Sequence, residues 1–193
     1  MKSSCYTIYP VLFVCSFFST INAYSIREAR PADMPALTAM HHTTWHNTHD
    51  SILPSDYCAK QTIERFDRHW KKFFLKNDGS FALVAIDDNQ ILGFISAGIM
   101  RIIPEENLSV TDAYAEVYKL YIDANHQHGG MGKQLIQACF ERLGSLGYVT
   151  AVVRVFTAGN ACHFYEHIGG KLMTKEPIIH WPTLPYTLYY FQL

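Results

Sequence analysis

A glycine-dense stretch, Gln127-His128-Gly129-Gly130-Met131-Gly132, stands between a strand-like run and a helix-like run. The run before it, 115–122, is rich in β-branched and aromatic residues and reads as a strand. The run after it, 131–146, repeats apolar residues at helical spacing, with Leu135, Cys139, Leu143 and Leu146 on one face and Ile136 and Phe140 beside them. A glycine turn that opens a helix leaves backbone N–H groups without intrahelical partners, and these, with the helix dipole, favour an anion. Glycine also lets a phosphate come close where a Cβ would collide.

Two common phosphate loops fail against the spelling. A Walker A loop has Gly five places before the Gly of its Gly-Lys pair and Ser or Thr after it, but Gly132-Lys133 has Gln127 and Gln134 there. A dinucleotide fingerprint begun at Gly130 needs glycine or alanine at 135, where Leu135 stands.

What remains is Gln-x-x-Gly-x-Gly, and with it the chain resembles the GNAT superfamily of N-acetyltransferases. The strand phrase Leu120-Tyr121-Ile122 just before the loop is similar to the family's. So is Asn160-Ala161-x-x-Phe164-Tyr165-Glu166-x-x-Gly169-Gly170, its second motif, and so is the opening strand and turn from Tyr24 to Asp33. The resemblance covers 24–193. It implies an α/β fold: a mixed, mostly antiparallel sheet of six to seven strands, flanked by helices and splayed centrally for CoA. It also implies an enzyme that moves an acetyl group from acetyl-CoA to an amine acceptor, by direct transfer in a ternary complex. The rival readings are a CoA-binding sensor or scaffold without catalysis, and transfer of a longer acyl group.

The resemblance assigns roles residue by residue. Gln127, His128, Gly129, Gly130, Met131, Gly132 and Lys133 would line the pyrophosphate, and the backbone of Leu120, Tyr121 and Ile122 would meet the pantetheine as an added strand does. Asn160 would hydrogen-bond the pantetheine arm. Acetyl transfer needs a base, because an amine with a pKa of about 10.4 arrives as ammonium, and an acid helps the thiolate leave. Glu116 is the expected base, with alternation placing it on one face with Tyr118, Leu120 and Ile122. Tyr165 is the expected acid. Trp45 and His46 are weaker acceptor-site candidates, in a region that helps form the acceptor pocket in the family.

His41, His42, His46 and His49 crowd one stretch, and His42 and His46 have i,i+4 spacing, yet no Glu-x-x-His or CxxC accompanies them. No metal is expected. Five cysteines, an odd count without paired spacing, indicate neither a zinc ribbon nor a disulfide framework. A formal net charge of −1 gives no nucleic-acid footprint. The expected partners are therefore acetyl-CoA and an amine, with the protein as a monomer or homodimer.

The first 23 residues differ from the rest: Lys2 is their only charge, Val11 to Phe18 is apolar except for Ser16, and Ala23 ends the segment. This is the layout of a signal peptide, too short in its apolar core to span a bilayer. The sequence thus divides into 1–23 and a domain at 24–193, exported if the leader is cut and cytoplasmic otherwise. An uncleaved packed segment or a misplaced start would look the same, and a cytosolic co-substrate sits uneasily with export. Between these landmarks the pattern predicts strands over 25–29, 81–86, 91–100, 148–156, 171–174 and 186–193. Helices are expected over 33–46, capped by Asp33 and with Met34, Leu37, Met40 and Thr44 inward, then over 55–76 and 160–167.

Overall fold

The computed structural model describes residues 24–101, 113–157, 161–174, 178–179 and 185–193. Six strands of four residues or more make the sheet: β1 (Ser25–Glu28), β2 (Phe81–Asp87), β3 (Gln90–Ile99), β4 (Tyr114–Ile122), β5 (Thr150–Phe156) and β8 (Pro185–Gln192). Two-residue strands β6 (Lys171–Leu172) and β7 (Ile178–Ile179) add to β8. The order is β1-β2-β3-β4-β5-β8-β6, and every pairing is antiparallel except β4 with β5. This is the expected mixed α/β sheet flanked by helices.

Local chemistry explains the turns. Asp88 and Asn89 take φ of 41° and 68°, the left-handed conformation that a two-residue hairpin requires and that short polar side chains tolerate. Asp33 departs from expectation. Its carboxylate does not cap α1 (Met34–His49) but accepts from the Arg27 guanidinium at 2.7 and 2.8 Å and from the Arg30 N–H at 2.7 Å, closing a 3-10 turn ahead of the helix. The helix expected over 55–76 is two, α2 (Ser55–Cys58) and α3 (Ile63–Leu75). Gln61, in the break, is buried, and its carbonyl accepts from His46. Ile63, at the start of α3, is exposed.

Helices cover both faces. α4 (Met131–Ser145) and α5 (Ala161–His167) pack Leu135, Ile136, Cys139, Leu143 and Tyr165 on Ile95, Ala97, Val117, Ala151 and Val153. α1 and α3 pack Leu37, Trp70 and Phe73 on Ala82, Val84 and Phe94 on the opposite face. α4 ends one turn earlier in its apolar stripe than the pattern predicts, since Leu146 is exposed. α5 ends at His167, and Gly169 beyond it takes φ of 94°, the left-handed conformation that glycine commonly supplies after a helix.

Candidate active site

The parallel pairing of β4 with β5 runs only from Tyr114↔Thr150 to Val117↔Val153. β4 continues to Ile122 and β5 to Phe156, so beyond that point the two central strands part. The upper half of β4 thus presents backbone groups to a gap instead of to a neighbour.

At the mouth of this gap the loop 127–130 lies exposed and leads into α4. Gly130 holds φ of 82° at the helix N-terminus and His128 holds 64°. The Gln127 side-chain amide donates to the Ile122 carbonyl at 3.2 Å, tying the loop to the end of β4. Asp123 accepts from the Asn125 N–H at 3.0 Å and contacts His126 Nδ1 at 3.1 Å, shaping the turn between. No acid stands in the first turn of α4, so no carboxylate of that turn competes for its free N–H groups, and Lys133 is exposed. A Cβ on Gly132 would stand 3.4 Å from the Phe164 ring of α5. Loop, helix start and gap together have the geometry to take an anion at one end and an extended chain along the slot.

β4 does not alternate as its sequence suggests. Ser96 pairs with Lys119 and Ala97 with Val117, so Tyr118 is an extra, bulged residue. Alternation reverses there. Leu120 and Ile122 face the α4 core with Ala115 and Val117, while Glu116 lies opposite Gly98 on the other face, on the side of Tyr121 and Phe94. The expectation that Glu116 shares a face with Leu120 and Ile122 is therefore corrected by one bulge.

Glu116 is fully buried. Its carboxylate accepts from the Arg101 backbone N–H at 3.0 Å, pairs with the Arg101 guanidinium, and lies 2.6 Å from Arg154 Nη1. Burial alone would raise its pKa, but the two guanidiniums outweigh it and hold the carboxyl below its ordinary range. Tyr118 Oη donates to the Ile99 carbonyl at 2.7 Å, and the Arg101 guanidinium sits 5.1 Å from its ring centroid. Half-buried Lys119, two positions before Tyr121, is lowered to about 8 by burial and then by Arg101.

Tyr165 lies on the other side, buried beside Cys139 and stacked 6.2 Å from Tyr189. Burial raises its phenol pKa, so it keeps its proton. Its motif partner Asn160 lies outside the described residues, as do residues 1–23.

On α1, Trp45 stacks on His49 with centroids 4.8 Å apart and 27° between planes. His46 is held at both nitrogens, Nδ1 by Asp50 at 2.8 Å and Nε2 by the Gln61 carbonyl at 2.9 Å. Burial would lower its pKa; the carbonyl and the carboxylate outweigh that and raise it. Two acceptors suit the imidazolium, so His46 ties α1 to the α2–α3 connection.

Other groups at the site went unread in the sequence: Arg101, Arg154 and the inward histidines. His41 is 1% exposed, ringed by Phe66, Phe94 and Tyr121, and lowered to about 2 by burial and then by Lys119. His69 is lowered to about 3 by burial and then Lys119. The signal was present, since His41 follows Leu37 by four on the inward stripe of α1. Among the described residues no group of three or more His, Cys, Asp or Glu is arranged to hold a metal, and no helix is long and apolar enough to cross a membrane. Cys58, Cys139 and Cys162 are free thiols.

Residues 43–170 match the Acetyltransferase (GNAT) family. A Bacillus subtilis (strain 168) protein named uncharacterized N-acetyltransferase YuaI is 28% identical over 154 residues, 79% of this chain and 83% of that protein. The same fold occurs in the PaiA N-acetyltransferase of Thermoplasma acidophilum, solved with coenzyme A, at a TM-score of 0.69 and 17% identity over 87% of this chain and 99% of that one. It occurs also in yncA of Salmonella typhimurium, solved with acetyl-CoA, at a TM-score of 0.62 and 21% identity over 89% and 95% of the two chains.

Proposed function

Because the chain belongs to the acetyltransferase (GNAT) family, whose members take an acetyl group from acetyl-CoA, we propose that it passes this group directly to an amine bound beside the cofactor, with no acetyl-enzyme intermediate. The observation that carries the reading is the end of β4–β5 pairing at Val117↔Val153, just below an exposed glycine loop at the N-terminus of α4. In this reading the N–H groups of 129–133 hold the pyrophosphate, and the backbone of Leu120 to Ile122 takes the pantetheine as an added strand. One of those N–H groups polarises the thioester carbonyl. Coenzyme A and acetyl-CoA in two of the similar structures support it.

Tyr165 is the proposed acid for the departing thiolate. Glu116 is the proposed base, and its arginine partners favour a second reading, in which it positions Arg101 and Arg154 while another group takes the proton. Glu116→Gln separates them. A base leaves a rate loss at neutral pH that recovers at high pH, whereas a positioning carboxylate leaves a loss at every pH.

The cofactor assignment is tested by Gly129→Glu. Gly129 has open space around its Cβ position and no positive φ, unlike Gly130, so the variant changes charge without backbone strain. Acetyl-CoA at a hundredfold excess over its Kd should stabilise the wild type by about 2.7 kcal/mol and the variant not at all. A wild-type melting temperature unmoved by millimolar acetyl-CoA would overturn the assignment. The division at residue 24 belongs to the same reading. β1 begins at Ser25, so a chain starting at Tyr24 should fold and bind acetyl-CoA, and N-terminal sequencing of the native protein checks whether 1–23 is removed.

A further inference from the structure

Resting on the cofactor reading above, and holding with either role of Glu116, we propose that Arg154 is a positioning residue for the thioester arm of acetyl-CoA. It ties β5 to β4 and to the end of β3 at the base of the gap, and so sets the width of the slot. A slot of this kind has a required width. Neighbouring strands lie about 4.8 Å apart, so a chain lying along β4 as an added strand takes the place of β5. β5 must therefore leave β4 just beyond the last paired residues, Val117 and Val153, and be held at one distance there.

Arg154 is the first residue of β5 beyond that point. Its guanidinium reaches back to the other half of the sheet. Nη1 lies 2.6 Å from Glu116 Oε2, and Nη2 donates to the Arg101 carbonyl at 2.9 Å. Glu116 belongs to β4 and Arg101 follows β3, so both contacts cross between the halves. The Arg101 guanidinium also pairs with Glu116, but from the same half, and it is 57% exposed. That pair steadies the carboxylate without governing the gap. Arg154 is 11% exposed and Glu116 fully buried, so their contact is little screened by solvent ions.

The chemistry of the side chain matters here. A planar guanidinium with two nitrogens on two separate acceptors fixes direction as well as distance. Glu116 is itself held, since Oε2 also accepts from the Arg101 backbone N–H at 3.0 Å. A lysine ammonium is a point charge on a flexible stem, and it would keep the attraction to Glu116 without this alignment.

The two ends of the cofactor should feel the tie unequally. In the cofactor reading the pyrophosphate sits on the loop beside Ile122, and the pantetheine runs from there along β4 toward Val117. The acyl end is then the part nearest Arg154, and the nucleotide end is the farthest from it. A substitution at Arg154 should misplace the arm and leave the nucleotide seat alone. A general loss of stability has no such preference.

The test uses the full chain and titration calorimetry with two ligands. One is acetyl-CoA. The other is 3′-phosphoadenosine 5′-diphosphate, which is CoA without its pantetheine arm. Arg154→Met removes the cation; Arg154→Lys keeps it and carries the test should the methionine variant not fold. Arg154→Lys should raise the Kd of acetyl-CoA about tenfold and Arg154→Met more, while both bind the nucleotide as the wild type does. Added to Glu116→Gln, Arg154→Lys should cost less than it does alone, because the two act through one contact. Variants that bind both ligands like the wild type, or that weaken both by the same factor, overturn the role of Arg154, and so do losses that simply add. A wild type that binds no acetyl-CoA, or no nucleotide, overturns the cofactor reading instead, so the two failures are distinguishable.

Discussion

The two faces of the sheet at β4 are built from different materials. Under α4 the contacts are apolar throughout: Leu135, Ile136, Cys139 and Leu143 on Ile95, Ala97 and Val117. On the other side β4 carries Glu116 and Lys119, and the covering helices α1 and α3 bring the inward histidines His41 and His69. One face is a rigid apolar floor beside a glycine loop and the unpaired edge of β4; the other buries ionisable side chains. The glycine loop leaves a compact signature in the sequence, and the scattered ionisable groups do not.

Four substitutions sharpen or break this contrast. Leu135→Ala, at a fully buried position on the α4 face, should cost about 2–5 kcal/mol, with the same loss from pH 5 to 8. Denaturant unfolding at several pH values checks both parts. Glu116→Gln should cost about 2–3 kcal/mol near pH 7, below the usual loss for breaking a buried pair because Arg101 is 57% exposed. Since its folded pKa is depressed, Glu116 contributes stability above the ordinary carboxylate pKa, and the contribution is lost as pH falls through the folded value. The cost of the substitution should therefore shrink in acid. A pH-independent cost would erase the contrast between the faces.

His41 gives the third test. Between about 6.5 and about 2 the unfolded chain binds a proton at His41 that the folded chain does not, so stability falls as pH drops below about 6.5. The slope is up to about 1.4 kcal/mol per pH unit from this group. His41→Leu should flatten the acid limb by that amount, seen as melting temperatures that diverge from the wild type between pH 6.5 and 5. Leu146→Ser should change stability by less than about 0.5 kcal/mol, because Leu146 is 44% exposed although it continues the apolar stripe of α4. Thermal unfolding at pH 7 reads it directly.

The order of strands and helices, the glycine loop and the α5 segment with Tyr165 were all legible in the chain, because each rests on local spacing or on punctuation by glycine. What escaped has no such mark. Tyr118 bulges because β3 and β4 meet with one residue to spare, a property of two strands and not of either sequence, and it turns Glu116 away from the face that alternation assigns. Residues 59–62 hold no glycine or proline, so the break between α2 and α3 is unannounced. His41 does follow Leu37 by four on the inward stripe of α1, but the burial that depresses its basicity comes from aromatic neighbours far along the chain, such as Phe94 and Tyr121.

Four residue pairs, 114–117 against 150–153, join the β1–β4 half of the sheet to the β5–β8 half. They divide the sheet into two leaves. α4 packs chiefly on β2, β3 and β4 of the first, with Phe140 reaching Phe191 of the second, and α5 packs on β5 and carries Tyr165. The leaves touch again where Phe164 lies against Gly132, at the start of α4. Any change in the angle between the leaves would alter the spacing between the helix N-terminus and the tyrosine, the two points that a molecule lying along the gap would span. Such a molecule would act as a strut, and stiffness in this fold would be supplied partly by what it binds.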